Sequence, residues 1–252
     1  MRCGGCRCQL SRLQPGVRRK VNTMIEELFR SVPANLLNES GTVFYSGRDA
    51  FSNPSDLYLL GLNPGGSPVI QARETLSWHS NRVLHEEPNN WSAYRDESWQ
   101  GAPPGTRGMQ PRVLHLLRRL DRNPGHVPSS NLIFVRSARE INLKDREHEL
   151  ADACWAFHER VINTLSIKVI LCFGGTVGDW VCTKLGAGEL VESFVEDNAR
   201  RWKSQAFRSR NGIGVVIATH PSIAAWNTSA ADPTHLVEHL LRDSAVTDKQ
   251  RG

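Results

Sequence analysis

The sequence predicts an α/β protein: a three-layer α/β/α sandwich around a central four-stranded parallel sheet. Three observations point there. Four short apolar runs, near 57–62, 132–135, 169–173 and 214–219, are bounded by Gly, Pro or Asn, as expected of strands buried on both faces. Segments with helical spacing of apolar residues separate them, the alternation that right-handed βαβ crossovers produce. The 252 residues suffice to bury one sizeable core.

The elements follow in order. Residues 1–15 read as a flexible tail. Val21, Met24, Ile25, Leu28 and Phe29 repeat at helical spacing and predict an amphipathic helix over 17–31. The first strand is 57–62. The stretch 63–110 is irregular, with a short helix near 70–84. Its segment from Glu86 to Gly108 is rich in Asn, Pro, Gly and Trp, and loops this long are usually functional or disordered. A helix over 111–121 carries Pro111 in its first turn, where Pro is tolerated. Leu132–Val135 is the second strand. Leu150, Cys154, Phe157, Val161 and Leu165 mark a helix over 145–165. The third strand, 169–173, turns at Gly174-Gly175 into a helix ending near Gly186. The fourth strand is 214–219. Asp232-Pro233 caps a last helix that runs to about Arg242. One domain therefore spans 16–243, with a flexible polar tail over 244–252.

Bulk properties narrow the classes. Net charge is +5 and the isoelectric point near 9, a basic balance that suits a polyanionic partner. Basic clusters occur at Arg18-Arg19-Lys20, Arg118-Arg119 and Arg200-Arg201. No apolar run approaches the ~20 residues of a membrane span, and the basic first twenty residues lack the apolar core of a secretory signal; a cytoplasmic protein is the expectation. Cys154, Cys172 and Cys182 read as small buried hydrophobes. Cys3, Cys6 and Cys8 offer Cys-x-x-Cys without a second pair, so neither a metal nor another cofactor is expected. His235 and His239 stand four apart and read as a surface face. The Gly-x-Gly-x-x-Gly, Gly-x-Ser-x-Gly and Walker A patterns do not occur.

Two motifs carry the chemistry. Tyr58-Leu59-Leu60-Gly61-Leu62-Asn63-Pro64-Gly65-Gly66 and Val215-Val216-Ile217-Ala218-Thr219-His220-Pro221-Ser222 each place polar groups just after an apolar run. Ligands of open α/β sheets bind beyond the carboxyl ends of the strands. An amide and an imidazole are thus predicted over one crevice, on exits that Pro and Gly make sharp. Taken singly, Asn-Pro-Gly is equally a tight turn, His220 a structural histidine, and Asn131 a turn or cap before its strand.

Together the motifs resemble the uracil-DNA glycosylase superfamily. The first is similar to its motif A in the Gly-x-Asn-Pro-Gly form of the mismatch-specific and single-strand-selective branches. The second is similar to its motif B, His-Pro-Ser. Asn131–Arg136 resembles the family's strand with a base-reading Asn, and the order holds from about 57 to 222. The resemblance implies a glycosylase that hydrolyses the N-glycosidic bond of uracil or a related damaged base in DNA, acting as a monomer without membrane attachment. In it Asn63 holds the attacking water and a neutral His220 stabilises the uracil anion. Asn131 reads the base. Gly61, Leu62, Pro64, Gly65 and Ser222 line the substrate site, with Ser222 and backbone N–H groups near 64–67 on phosphates. The chain departs from the family after His-Pro-Ser, where Ile223-Ala224-Ala225-Trp226 stands. Ala224 is too small to fill the gap left by a flipped nucleotide, so Ile223 or Trp226 is the candidate wedge. Val135 stands where an iron–sulfur branch would place a cysteine. Trp78 and Trp99 are the candidate stacking aromatics. A nucleic-acid-binding protein that keeps the fold without catalysis is the alternative, and an enzyme acting on a free nucleoside is a more distant one.

Overall fold

In the computed structural model, which describes residues 23–251, one six-stranded mixed sheet forms the centre, in the order β2-β1-β3-β6-β5-β4. Its strands are β1 (Leu57–Gly61), β2 (Ser129–Asn131), β3 (Val169–Phe173), β4 (Ala187–Val195), β5 (Lys203–Ser209) and β6 (Gly214–Ala218). β2, β1, β3 and β6 run parallel. β5 and β4 add an antiparallel hairpin at the β6 edge. The expected sheet of four parallel strands is therefore corrected to six strands of mixed direction. The hairpin escapes a pattern search because β4 alternates poorly and is mostly exposed, while β5 mixes Lys, Gln and Arg with few apolar residues.

The helices are α1 (Met24–Phe29), α2 (Leu76–His85), α3 (Ala93–Asp96), α4 (Gln110–Arg119), α5 (Glu147–Thr164), α6 (Gly175–Leu185) and α7 (Thr234–Arg251). α7 starts beyond Asp232, whose Oδ1 accepts from the Thr234 backbone N–H at 2.9 Å. It continues to Arg251 instead of ending near Arg242. α6 closes on Gly186 at φ 62°, the left-handed position where Gly is at ease. The N-terminal part of the expected 17–31 helix, the 1–15 tail, Cys3, Cys6, Cys8 and the Arg18-Arg19-Lys20 cluster lie outside the described residues.

Alternate strand residues feed two apolar clusters, as the two-residue period of a strand dictates. Tyr58, Leu60, Ile170, Cys172 and Val215 pack with residues of α1, α5 and α6. Leu57, Leu59, Leu171, Phe173, Val216 and Ala218 pack with residues of α4 and α7. Cys154 and Cys172 are buried, and burial pushes the Cys154 thiol up to about 12, so it stays a protonated apolar filler.

The second strand needs a further correction. The ladder holds Ser129–Asn131, with Gly61 opposite Asn131. The apolar run Leu132–Val135 lies beyond it, buried, bridging to Gly41 through Val135. Buried polar Ser130 is tolerated in the strand because its hydroxyl donates to the Val43 carbonyl at 2.6 Å. Asn131 is thus the last residue of its strand, not a residue preceding it.

Candidate functional site

β1, β2, β3 and β6 all end at one edge, and a crevice of about 1830 Å³ opens there. Gly61, Leu62, Asn63, Gly65, Asn131, His220, Ser222 and Ile223 line it, as do the candidate aromatics Trp78 and Trp99. Pro64 is buried just behind. The two strand-end motifs therefore meet, and the register fixes how: Gly61 pairs with Asn131, and Phe173 pairs with Ala218 two residues before His220.

Asn63 is held by its amide nitrogen. Nδ2 donates to the Pro64 carbonyl at 2.9 Å and to Ser137 Oγ at 3.0 Å. Oδ1 is left as the atom that can accept from a ligand or water. The chain after it is pinned by Arg136, itself buried. Its guanidinium donates to the Gly65 carbonyl at 2.6 Å and to Ser40 Oγ at 3.2 Å, and pairs with Glu74 at 3.1 Å. Gly66 has φ 107°, a conformation that favours glycine, and a Cβ there would also meet Gln71 Oε1 at 2.1 Å.

Asn131 is buried against β1. A Cβ on Gly61 would stand 2.2 Å from Asn131 Oδ1, so glycine at position 61 is what lets the amide lie there. Asn131 Nδ2 is buried, closed to solvent, and makes no hydrogen bond of ordinary length among the described residues. The Tyr45 phenol faces it, raised to about 12 by burial and so protonated.

His220 is oriented by its own turn. The Ser222 backbone N–H donates to Nδ1 at 3.1 Å, and Ser222 Oγ lies 2.7 Å from the same nitrogen. An atom that accepts a backbone N–H carries no proton, so the neutral ring is protonated at Nε2. Burial lowers the pKa of His220, and the charge of Glu140 opposes this in part. The loop itself is clamped from two sides: Arg112 donates to the Pro221 carbonyl and Arg200 to the Ile223 carbonyl. Trp226 is fully buried, its Nε1 donating to the Thr219 carbonyl at 2.9 Å and its ring edge-on to Phe173. It cannot enter a base stack from there, which corrects its candidacy as a wedge. Ile223, 50% exposed on the rim, retains that position.

Several crevice residues have no counterpart in the sequence reading. Tyr94 and Phe173 pack edge to face at 6.4 Å, and Phe173 also meets the His220 ring. His79 is buried with Nδ1 unpartnered, its pKa lowered to about 3 by burial and by the Arg82 and Arg136 charges. Phe173 was reachable from its place at the carboxyl end of an apolar run; Tyr45 and His79 sit in segments without such a signal. The crevice is mixed in charge. Glu74 pairs with Arg136, Glu87 and Glu97 with Arg82, and Asp96 with Arg95. Arg139 and Lys203, both exposed, form no ion pair among the described residues. No group of three or more metal-ligating side chains converges among the described residues, and no described helix is long and apolar enough to cross a membrane.

No protein-family model matches the chain, and no curated protein sequence matches it.

Proposed function

We propose that the protein is a DNA glycosylase of the uracil-DNA glycosylase type, hydrolysing the N-glycosidic bond of uracil or a related damaged base in DNA. The observation that carries this reading is the convergence of Asn63, Asn131 and His220 at three strand ends over one crevice. Glycosidic cleavage builds negative charge on the departing base and positive charge on the sugar. A neutral imidazole with its proton on Nε2 can donate to the base oxygen as the charge develops. Asn63 Oδ1 can hold water below the anomeric carbon, and the Asn131 amide, at the end of β2, can read the Watson–Crick edge of a flipped base. Gly61, Leu62, Pro64, Gly65 and Ser222 shape the pocket around it, in a glycosylase-like α/β/α arrangement acting as a monomer.

The test is incubation of the protein with uracil-containing oligonucleotides, followed by alkali. Strand scission at the uracil position is expected. Excision should fall in acid, below the ordinary histidine value of 6.5, since the pKa of His220 is lowered and its neutral form is required. The absence of abasic sites at excess protein would leave the second reading, a nucleic-acid-binding protein without catalysis. One observation favours that reading: burial of Trp226 removes one of the two wedge candidates.

A further inference from the structure

Beyond the strand-end motifs, the turn joining β4 to β5 enters the same crevice. Trp202 and Lys203 line it beside His220, Ser222 and Ile223. Trp202 is a large ring left 37% exposed, and the Arg200 guanidinium lies over it at 4.4 Å. Arg200 also donates to the Ile223 carbonyl at 2.6 Å. The turn and the His-Pro-Ser loop are thereby tied into one surface.

The turn is built rigidly for so exposed an element. Glu196 is almost fully buried; its Oε2 accepts from Asn198 Nδ2 at 2.7 Å, and its backbone N–H donates to the Trp202 carbonyl at 2.8 Å. Asn198 Oδ1 caps the Arg200 and Arg201 backbone N–H groups at 2.9 and 3.3 Å. Asp197 N–H donates to the Ala230 carbonyl at 2.8 Å. An indole held in a hydrogen-bonded turn, lining an open crevice with Arg200 over its ring and Lys203 next in the chain, suits a stacking platform for an unpaired base; Arg200 and Arg201 themselves lie 3.7 Å from Glu196 and Asp197. The carboxylates Glu74, Glu87, Glu97 and Asp96 are each paired with arginine, Glu140 accepts from Thr176 Oγ1 at 2.6 Å, and Glu140, Lys203 and Arg139 have no ion-pair partner among the described residues. Lys203, next to the indole in the chain, is therefore the cation left for a phosphate.

We infer that this turn is a second DNA-binding element, in which Trp202 stacks on an unpaired base flanking the excised one and Lys203 meets the neighbouring phosphate. The inference rests on the glycosylase reading for the position of the excised base. It gives a preference for single strands or locally opened duplex, because a paired flanking base cannot reach the indole.

Binding of fluorescein-labelled oligothymidylate and of a matched duplex, both free of uracil, tests this by anisotropy. Wild-type protein should bind the single strand more tightly. Trp202→Ala should weaken single-strand binding roughly 5- to 150-fold, the range for loss of one base–aromatic stack, and Trp202→Phe should restore much of it. Lys203→Gln should reduce the salt dependence by about one phosphate contact. Leu190→Ala, on exposed β4, should change nothing, and thermal melting checks that each variant is folded. Equal affinity of wild type and Trp202→Ala for the single strand, or tighter binding of duplex, overturns the inference even if uracil is excised. Trp202-dependent binding without excision would uphold the turn as a single-strand-binding element and refute the glycosylase reading, and with it the placement beside an excised base.

Discussion

His220 and His158 are both held by hydrogen bonds, and both have lowered pKa values from burial. They differ in what is left over. His158 lies in the core on α5, with Nδ1 2.8 Å from the Tyr58 hydroxyl and Nε2 3.1 Å from the Leu132 carbonyl. The tyrosine donates and the carbonyl accepts, so both ring nitrogens are used inside the protein. His220 uses Nδ1 alone, on its own turn, and Nε2 has no hydrogen-bond partner among the described residues beside the crevice that His220 lines. The same residue type is a structural pin in one region and a free donor in the other, and the count of satisfied nitrogens separates the two roles.

The sharpest test of that contrast is His220→Ala. If Nε2 stabilises the departing base, excision should slow roughly 10²–10³-fold, as for loss of an oxyanion donor, with little change in thermal stability because the ring is not in the core. Wild-type-like rates measured on uracil oligonucleotides would place His220 with His158 as a structural residue.

A smaller effect is expected from moving Asn131. Gly61→Ala puts a Cβ 2.2 Å from Asn131 Oδ1, and the amide has to shift. A misplacement of about 1 Å in a positioning group can lower a rate ~10²-fold. Excision should fall by about that factor, and Asn131→Ala in the Gly61→Ala background should cost little more. Additive losses would show that Gly61 acts apart from the amide.

The sequence made part of this arrangement legible and hid the rest for identifiable reasons. The strands at 57–61, 169–173 and 214–218 announce themselves because both faces are buried, which leaves unbroken apolar runs. Asn63 and His220 were legible because a polar group just past such a run stands at the carboxyl edge. Ser129–Asn131 was displaced onto Leu132–Val135 because a polar trio reads as a turn, and only tertiary acceptors such as the Val43 carbonyl make it a strand. The β4–β5 hairpin was hidden because an edge ribbon with an exposed face carries no apolar pattern. Its one signal was Trp202 beside Arg200-Arg201, an aromatic among cations. Trp226 misled because an indole in a loop looks available, while its burial depends on Phe173 from another strand.

His158 makes the next prediction, in stability. Burial lowers its pKa from 6.5 to about 4, and that of His79 to about 3. Between those values and 6.5 the unfolded chain binds protons that the native one does not, so stability rises with pH across this window and is complete above 6.5. Unfolding free energy from urea titration should fall by about 1.4 kcal/mol per pH unit for each histidine between pH 6.5 and 4. His158→Gln should remove one such contribution, whereas His220→Gln should alter the slope less. A slope unchanged by His158→Gln would show that the ring is protonated in the native state and that the Tyr58–His158–Leu132 chain has another proton arrangement.

The smallest effect belongs to a third histidine environment. His239 on α7 meets Glu192 of β4, with Nδ1 2.6 Å from Oε2, and both side chains are more than a third exposed. It clips the hidden hairpin to the last helix, yet water and salt screen the pair, and exposed ion pairs contribute about 0–1 kcal/mol. His239→Ala should therefore cost no more than about 1 kcal/mol in urea unfolding. The cost should shrink further when salt is raised from 0.05 to about 0.5 M, where the Debye length falls to a few ångström. A loss above about 2 kcal/mol that resists salt would mean the pair is not solvated as its exposure says, since a screened contact cannot reach that size. The order crevice, core, surface would then fail at its weakest member, and hydrogen-bond occupancy alone would no longer predict which histidine matters for what.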